Sequence, residues 1–148
     1  MYIQNTEQMI ALGEQIGHYL HNGMTILLQG DLASGKTTFT KGIGKALHIL
    51  QPINSPTFNI LKIYKGDLTL YHIDAYRLEG NDYDLGFEEF RNDGVTVIEW
   101  PEYYGSYLPK EYLRISFIYI DDDTREVHFT PVGEAYEEIV RKVEGNTL

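Results

Sequence analysis

The stretch Gly30-Asp31-Leu32-Ala33-Ser34-Gly35-Lys36-Thr37 fits the phosphate-loop pattern of two glycines followed by Lys-Thr. Its chemistry needs those residue types. Gly30 and Gly35 let the backbone curl around a phosphate without a side chain in the way. The N–H groups of Ala33, Ser34, Gly35, Lys36, Thr37 and Thr38 then point inward and add to the positive end of the helix that follows. Lys36 reaches the β- and γ-phosphates, and the Thr37 hydroxyl coordinates Mg²⁺. An apolar strand before the loop and a helix after it are both expected here, which is the context the motif requires. The implied ligand is a nucleoside triphosphate. No Asn-Lys-x-Asp guanine reader occurs in the chain, which favours ATP.

Carboxylates at strand ends are the natural complement of such a loop. His72 and Asp74 are two residues apart and share one face of a strand. Glu99 ends the apolar run Val95-Thr96-Val97-Ile98. Ligands of open α/β sheets sit beyond the carboxyl ends of strands, and nucleotide-hydrolysing enzymes hold magnesium with a carboxylate from such an end. Asp74 and Glu99 both qualify, and spacing does not rank them. Thr57, in Ser55-Pro56-Thr57-Phe58, sits where a loop sensing the γ-phosphate and magnesium would lie; taken alone, the segment reads as a turn entering a strand. Arg77 offers a charge for a transferring phosphoryl group or a surface ion pair. Trp100 is the single tryptophan, a packing residue by default, placed beside Glu99. The run Asp121-Asp122-Asp123 lacks calcium-loop spacing and reads as a solvated turn. The five histidines show no metal-ligand spacing, and His18 and His21 read as helix surface.

The surrounding pattern supplies the elements that must position these groups. Asn5 caps a first helix, with Gln8 at the capping-box position and Met9, Leu12, Ile16, Tyr19 and Leu20 at helical spacing until Asn22-Gly23. A buried strand over 25–29 leads into the phosphate loop, and a helix over 36–47 leaves it. Residues 51–56 hold two prolines and form a loop. Strands over 58–65 and 68–74 join through Lys65-Gly66-Asp67 as a hairpin. Within the polar stretch 79–93 a short helix is expected around 85–91, followed by a strand over 95–100 stopped by Pro101. A second hairpin covers 112–120 and 125–130, and a helix over 134–143 follows. This is an α/β order with a mixed sheet, not a plain βαβ repeat.

The bulk numbers agree. A chain of 148 residues, 43% apolar and 23% charged, is expected to form one globular domain over 1–148. No apolar run approaches a membrane span, and nothing resembles an export signal, so no membrane partner and a cytoplasmic address are expected. There are no cysteines, which excludes disulfides and thiolate-bound metals. The net charge of −10 argues against a stand-alone nucleic-acid binder, whose grip on phosphates calls for a basic surface.

Four blocks taken together resemble the TsaE family, the small bacterial P-loop ATPases of tRNA threonylcarbamoyladenosine biosynthesis. They are Gly30 to Phe39, Ser55-Pro56-Thr57-Phe58, His72-Ile73-Asp74-Ala75-Tyr76-Arg77 and Ile98-Glu99-Trp100, in the family's order. One departure is visible: the family usually has Gly-Ala where this chain has Ala33-Ser34. That places a methyl group in the variable part of the loop and leaves its donors intact. The resemblance implies a P-loop NTPase-like three-layer domain whose sheet has a parallel centre flanked by antiparallel hairpins. It implies phosphate binding by Lys36, Thr37 and Thr38, and Thr6 near the nucleotide. Magnesium would lie on Thr37 and Glu99 with Asp74 close by, and Thr57 would act in a switch-like loop. It further implies ATP hydrolysis that supports a TsaB–TsaD assembly, with tRNA held only within that complex. Two other readings of the same loop are a small-molecule kinase using Arg77 or Arg91 as phosphoryl clamps and a nucleotide switch without useful catalysis.

Overall fold

A computed structural model describes residues 1–31, 33–54, 60–78, 86–105 and 108–145. Strands β1 (Tyr2–Ile3), β2 (Thr25–Gln29), β3 (Leu61–Tyr64), β4 (Thr69–Asp74), β5 (Gly94–Glu99), β6 (Tyr112–Tyr119) and β7 (Arg125–Val132) form one sheet in the order β1-β7-β6-β2-β5-β4-β3. The centre β6-β2-β5-β4 is parallel; β3, β7 and β1 pair antiparallel at the two sides. The mixed sheet with a parallel centre is therefore as the sequence suggests.

Both faces of this centre are covered, which is why its strands are apolar without alternation. Ile26, Leu28, Val95 and Val97 join one core with the helices α1 (Thr6–Gly17), α2 (Lys36–Ala46) and α4 (Glu134–Gly145). Leu27, Ile73 and Ile98 point the other way, into a second core with Leu78, Phe87 and Tyr104. Among the described residues that face carries only short helices: a 3-10 turn over Ala75–Leu78, α3 (Phe87–Phe90) and 3-10 turns over Arg91–Asp93 and Pro101–Tyr103.

Several boundaries differ from the sequence reading, each for a local cause. Asn5 does cap α1, accepting from the Gln8 N–H at 2.8 Å, while the Gln8 side chain accepts from the N–H of Gln4 at 2.7 Å. The helix ends at Gly17, not at Asn22-Gly23. Bonds from Tyr19 N–H to Ile16 O and from Leu20 N–H to Gly17 O tighten the exit, and this turn keeps Tyr19 and Leu20 against the core, prolonging the apolar rhythm. Strand β5 stops at Glu99, because Trp100 turns into the left-handed region with φ 58°. Strand β1, only two residues long, has no readable periodicity and is defined by its pairing to β7.

Helices α1 and α2 cross unusually closely. A Cβ at Gly13 would collide with the Phe39 carbonyl oxygen, and one at Gly42 with the Ile10 carbonyl oxygen. Glycine at both positions brings the start of α1 beside the start of α2, where the phosphate loop ends.

Candidate functional site

Strands β2, β5 and β4 are neighbours and parallel, so their carboxyl ends face one way. Their register aligns Leu28 with Glu99 and Glu99 with Asp74. Beyond Gln29 the chain enters the phosphate loop. Glu99 therefore stands one strand away from the loop strand and Asp74 two, a step of roughly 4.8 Å each. His72, two residues before Asp74, shares their face, and its Nε2–H donates to Glu99 Oε2 at 2.5 Å. Both partners are buried.

The loop itself is held from several sides. Gly35 has φ 109° and Ala33 has φ 62°, both left-handed; a glycine adopts this freely, whereas an alanine does so at a cost of about 1–2 kcal/mol. Gly35 begins α2 with no side-chain cap, which leaves the first N–H groups of the helix to a ligand. Ser34 is buried and turns its hydroxyl toward Gly30, with no hydrogen-bond partner for it among the described residues. The Lys36 ammonium donates to Gly30 O at 2.6 Å and lies 3.8 Å from the centre of the Trp100 ring. Thr40 fastens the first turn of α2 by donating to Lys36 O at 2.9 Å.

Electrostatics follow from this crowding. Burial pulls the Lys36 ammonium below its usual range, opposed by the charges of Glu99, Asp74, Glu102 and Asp31. Burial pushes the Asp74 carboxyl up; the Tyr76 N–H, donating to Asp74 Oδ1 at 3.0 Å, opposes that, and the Glu99 charge adds to it.

A cavity of about 580 Å³ opens over these groups. Ala33, Ser34, Gly35, Lys36, Thr37, Thr38, Asp74, Glu99 and Trp100 line it, and so does Thr6 at the start of α1. The phosphate loop, both strand-end carboxylates and Thr6 thus meet at one place. Thr57, with Ser55, Pro56 and Phe58, lies outside the described residues. Arg77 falls on the 3-10 turn after β4, and Arg91 pairs with Glu88 at 3.4 Å and does not border the cavity.

Sequence reading missed one wall. Asp122, Asp123 and Arg125, from the β6–β7 turn, also line the cavity, as do Asn5 and Glu7. Asp121–Asp123 is an exposed turn as read, with Asp121 Oδ1 accepting from the N–H groups of Asp123 and Thr124, and Asp122 and Asp123 border the cavity as well. No local motif marks it; the pairing of β6 with β7 and the parallel register of β6 on β2 carry the hairpin tip to the loop.

The residues and their order now match one family along most of the chain. Residues 3–127 match the family described as threonylcarbamoyl adenosine biosynthesis protein TsaE. The chain belongs to the TsaE family. Among TsaE relatives, the tRNA threonylcarbamoyladenosine biosynthesis protein TsaE of Bacillus subtilis strain 168 is 44% identical over 135 residues, 90% of this chain and 85% of that protein. The protein of the same name from Treponema pallidum is 44% identical over 118 residues, 78% of this chain and 87% of its own. The fold agrees with the crystal structure of Bacillus subtilis YdiB at a TM-score of 0.85 and 35% identity, covering 100% of this chain and 95% of that one.

Proposed function

We propose that this TsaE-family protein is a magnesium-dependent ATPase that serves threonylcarbamoyladenosine formation in tRNA, working in the cytoplasm with TsaB and TsaD. The observation that carries the reading is the meeting of Lys36, Glu99 and Asp74 at the carboxyl ends of three adjacent parallel strands, over a cavity of about 580 Å³. That volume lies within the range of small-molecule sites.

The residues fit both groups. The uncapped start of α2 and Lys36 suit a triphosphate. The Thr37 hydroxyl and the carboxylate of Glu99, with Asp74 beside it, suit magnesium, which takes few protein ligands and completes its octahedron with phosphate and water. When bound, the ion would neutralise charge on the β- and γ-phosphate oxygens. Lys36 leaves Gly30 O for the same oxygens, recovering in the ligand the counter-charge that burial denies it. His72 keeps Glu99 in one orientation. Asp74, whose Oδ1 accepts from Tyr76 N–H, would take the proton of the attacking water on its second oxygen. That water forms the new P–O bond as the bridging β–γ bond breaks and ADP departs. Thr57 is assigned to a loop sensing the γ-phosphate, as the family resemblance implies. The acidic chain leaves the tRNA to its partners.

An ATPase assay of the isolated protein, with and without TsaB and TsaD, tests the reading. Weak hydrolysis that rises with the partners is expected. Unchanged rates and no complex would overturn it, and phosphate transfer to a metabolite would establish a kinase instead.

A further inference from the structure

Arg125 lines the nucleotide cavity, where a cation is most simply taken for a phosphate ligand. Its hydrogen bonds say otherwise. Nε donates to Ser34 O at 3.1 Å and Nη2 to Ala33 O at 3.1 Å. Nη1 donates to Asp121 O at 2.7 Å and Thr124 O at 3.1 Å. All three nitrogens are thus engaged by main-chain carbonyls, two carbonyls in the phosphate loop and, with a longer contact of Nη1 to Asp122 O at 3.5 Å, three in the β6–β7 turn. The guanidinium also lies 4.7 Å from the ring of Tyr119, whose hydroxyl donates to Asp122 Oδ1. The planar fork is therefore fixed on both sides.

What it fixes is the orientation of two peptide groups. A trans peptide points its C=O and N–H in opposite directions. Holding Ala33 C=O on Arg125 sends Ser34 N–H back to Asp31 O, a bond of 3.2 Å. Holding Ser34 C=O there turns the N–H of Gly35 the other way, away from Arg125. The same clamp keeps Ala33 at φ 62°, which its methyl group disfavours.

We infer that Arg125 is a positioning residue that holds the phosphate loop, through Ala33 and Ser34, in its nucleotide-accepting shape and ties it to the β6–β7 turn. This rests on the proposed nucleotide site and adds to it the element that shapes the loop before any ligand arrives.

The test compares Arg125→Ala, Arg125→Lys and each change combined with Ala33→Gly, reading ATP and ADP affinity by titration and amide exchange of the nucleotide-free protein. Arg125→Ala should weaken ATP and ADP by the same factor, about tenfold, and speed exchange at Gly35. Lysine, a point charge without a fork, should not restore either. Ala33→Gly, which adopts the left-handed conformation freely, should recover most of the lost affinity. A loss confined to ATP or to kcat, with partial recovery by lysine, would make Arg125 a phosphate ligand and overturn the inference. Equal losses with and without Ala33→Gly would overturn it too. If the wild-type protein binds neither nucleotide, the functional reading fails, while the exchange comparison still decides whether Arg125 orders the loop.

Discussion

His72 Nε2 and Glu99 Oε2 lie 2.5 Å apart, in a place closed to solvent, with Glu99 two residues beyond the Val97 that directly faces His72 across the β4–β5 pair. The bond calls for a proton on Nε2, and Nδ1 has no hydrogen-bond partner among the described residues. A carboxylate buried this way keeps one oxygen occupied by His72 at the wall of the cavity that Glu99 lines. His72 is thus to Glu99 what a supporting residue is to a metal-binding carboxylate.

The geometry requires a donor at the Nε2 position, and the amide nitrogen of glutamine reaches it whereas that of asparagine does not. His72→Gln should keep most of the ATPase rate. His72→Asn should lose it about tenfold or more at little change in ATP affinity, and His72→Ala should also cost roughly 2–4 kcal/mol of stability through the buried void and the unpaired carboxylate. Steady-state kinetics with urea melts check this; equal rates for the glutamine and asparagine variants would remove the orienting role.

The role proposed for Asp74 sets function against stability. Its carboxyl is raised in the folded protein, mainly by burial. A group raised on folding favours the folded state below its unfolded pKa and loses that contribution as pH rises through the folded value. At pH 7 the ionised Asp74 is therefore a burden on the fold, and Asp74→Asn, whose amide oxygen still accepts from Tyr76 N–H, should raise the melting temperature by a few degrees while lowering the ATPase rate. The gain should vanish below about pH 3.8. Melting curves at both pH values decide; a gain that persists in acid would contradict the cause given.

Gly42 has no room for a side chain at the α1–α2 crossing. Gly42→Ala must push the helices apart, at about 1–3 kcal/mol for such overpacking. Because that crossing brings Thr6 of α1 to the same cavity as Thr37 and Thr38 of α2, ATP affinity should fall along with stability. Calorimetric melting and ATP titration of the same sample would show whether the two losses travel together.

What could be read in advance follows from how local each signal is. The phosphate loop, the strand ends at Asp74 and Glu99 and the two hairpins depend on short patterns, and the described parts of each lie where those patterns put them. Spacing does not rank Glu99 and Asp74, because only the order β2-β5-β4 puts Glu99 next to the loop strand. Arg125, Asp122 and Asp123 are hidden for the same reason: Arg125 sits 91 residues beyond Ser34, and the turn reaches the loop through strand pairing. The Trp100 turn escapes a strand reading because its conformation is set by packing, not by propensity.

That turn yields a direct optical test. Trp100 packs with Tyr76 at 5.1 Å and with Tyr103 at 6.1 Å between ring centres, and the Lys36 ammonium rests 3.8 Å from its own centre. A cation over an indole is bound by about 0.5–2 kcal/mol, so the ring is a contact that Lys36, also donating to Gly30 O at 2.6 Å, can exchange for a phosphate. ATP binding should therefore change Trp100 emission in a saturable way, with a midpoint equal to the Kd from titration calorimetry. Lys36→Ala should change the emission of the nucleotide-free protein and remove the ATP-dependent part, with affinity about a hundredfold weaker or more. An emission change that survives intact in Lys36→Ala would mean that the nucleotide acts on Trp100 directly, and that the lysine does not move between ring and phosphate.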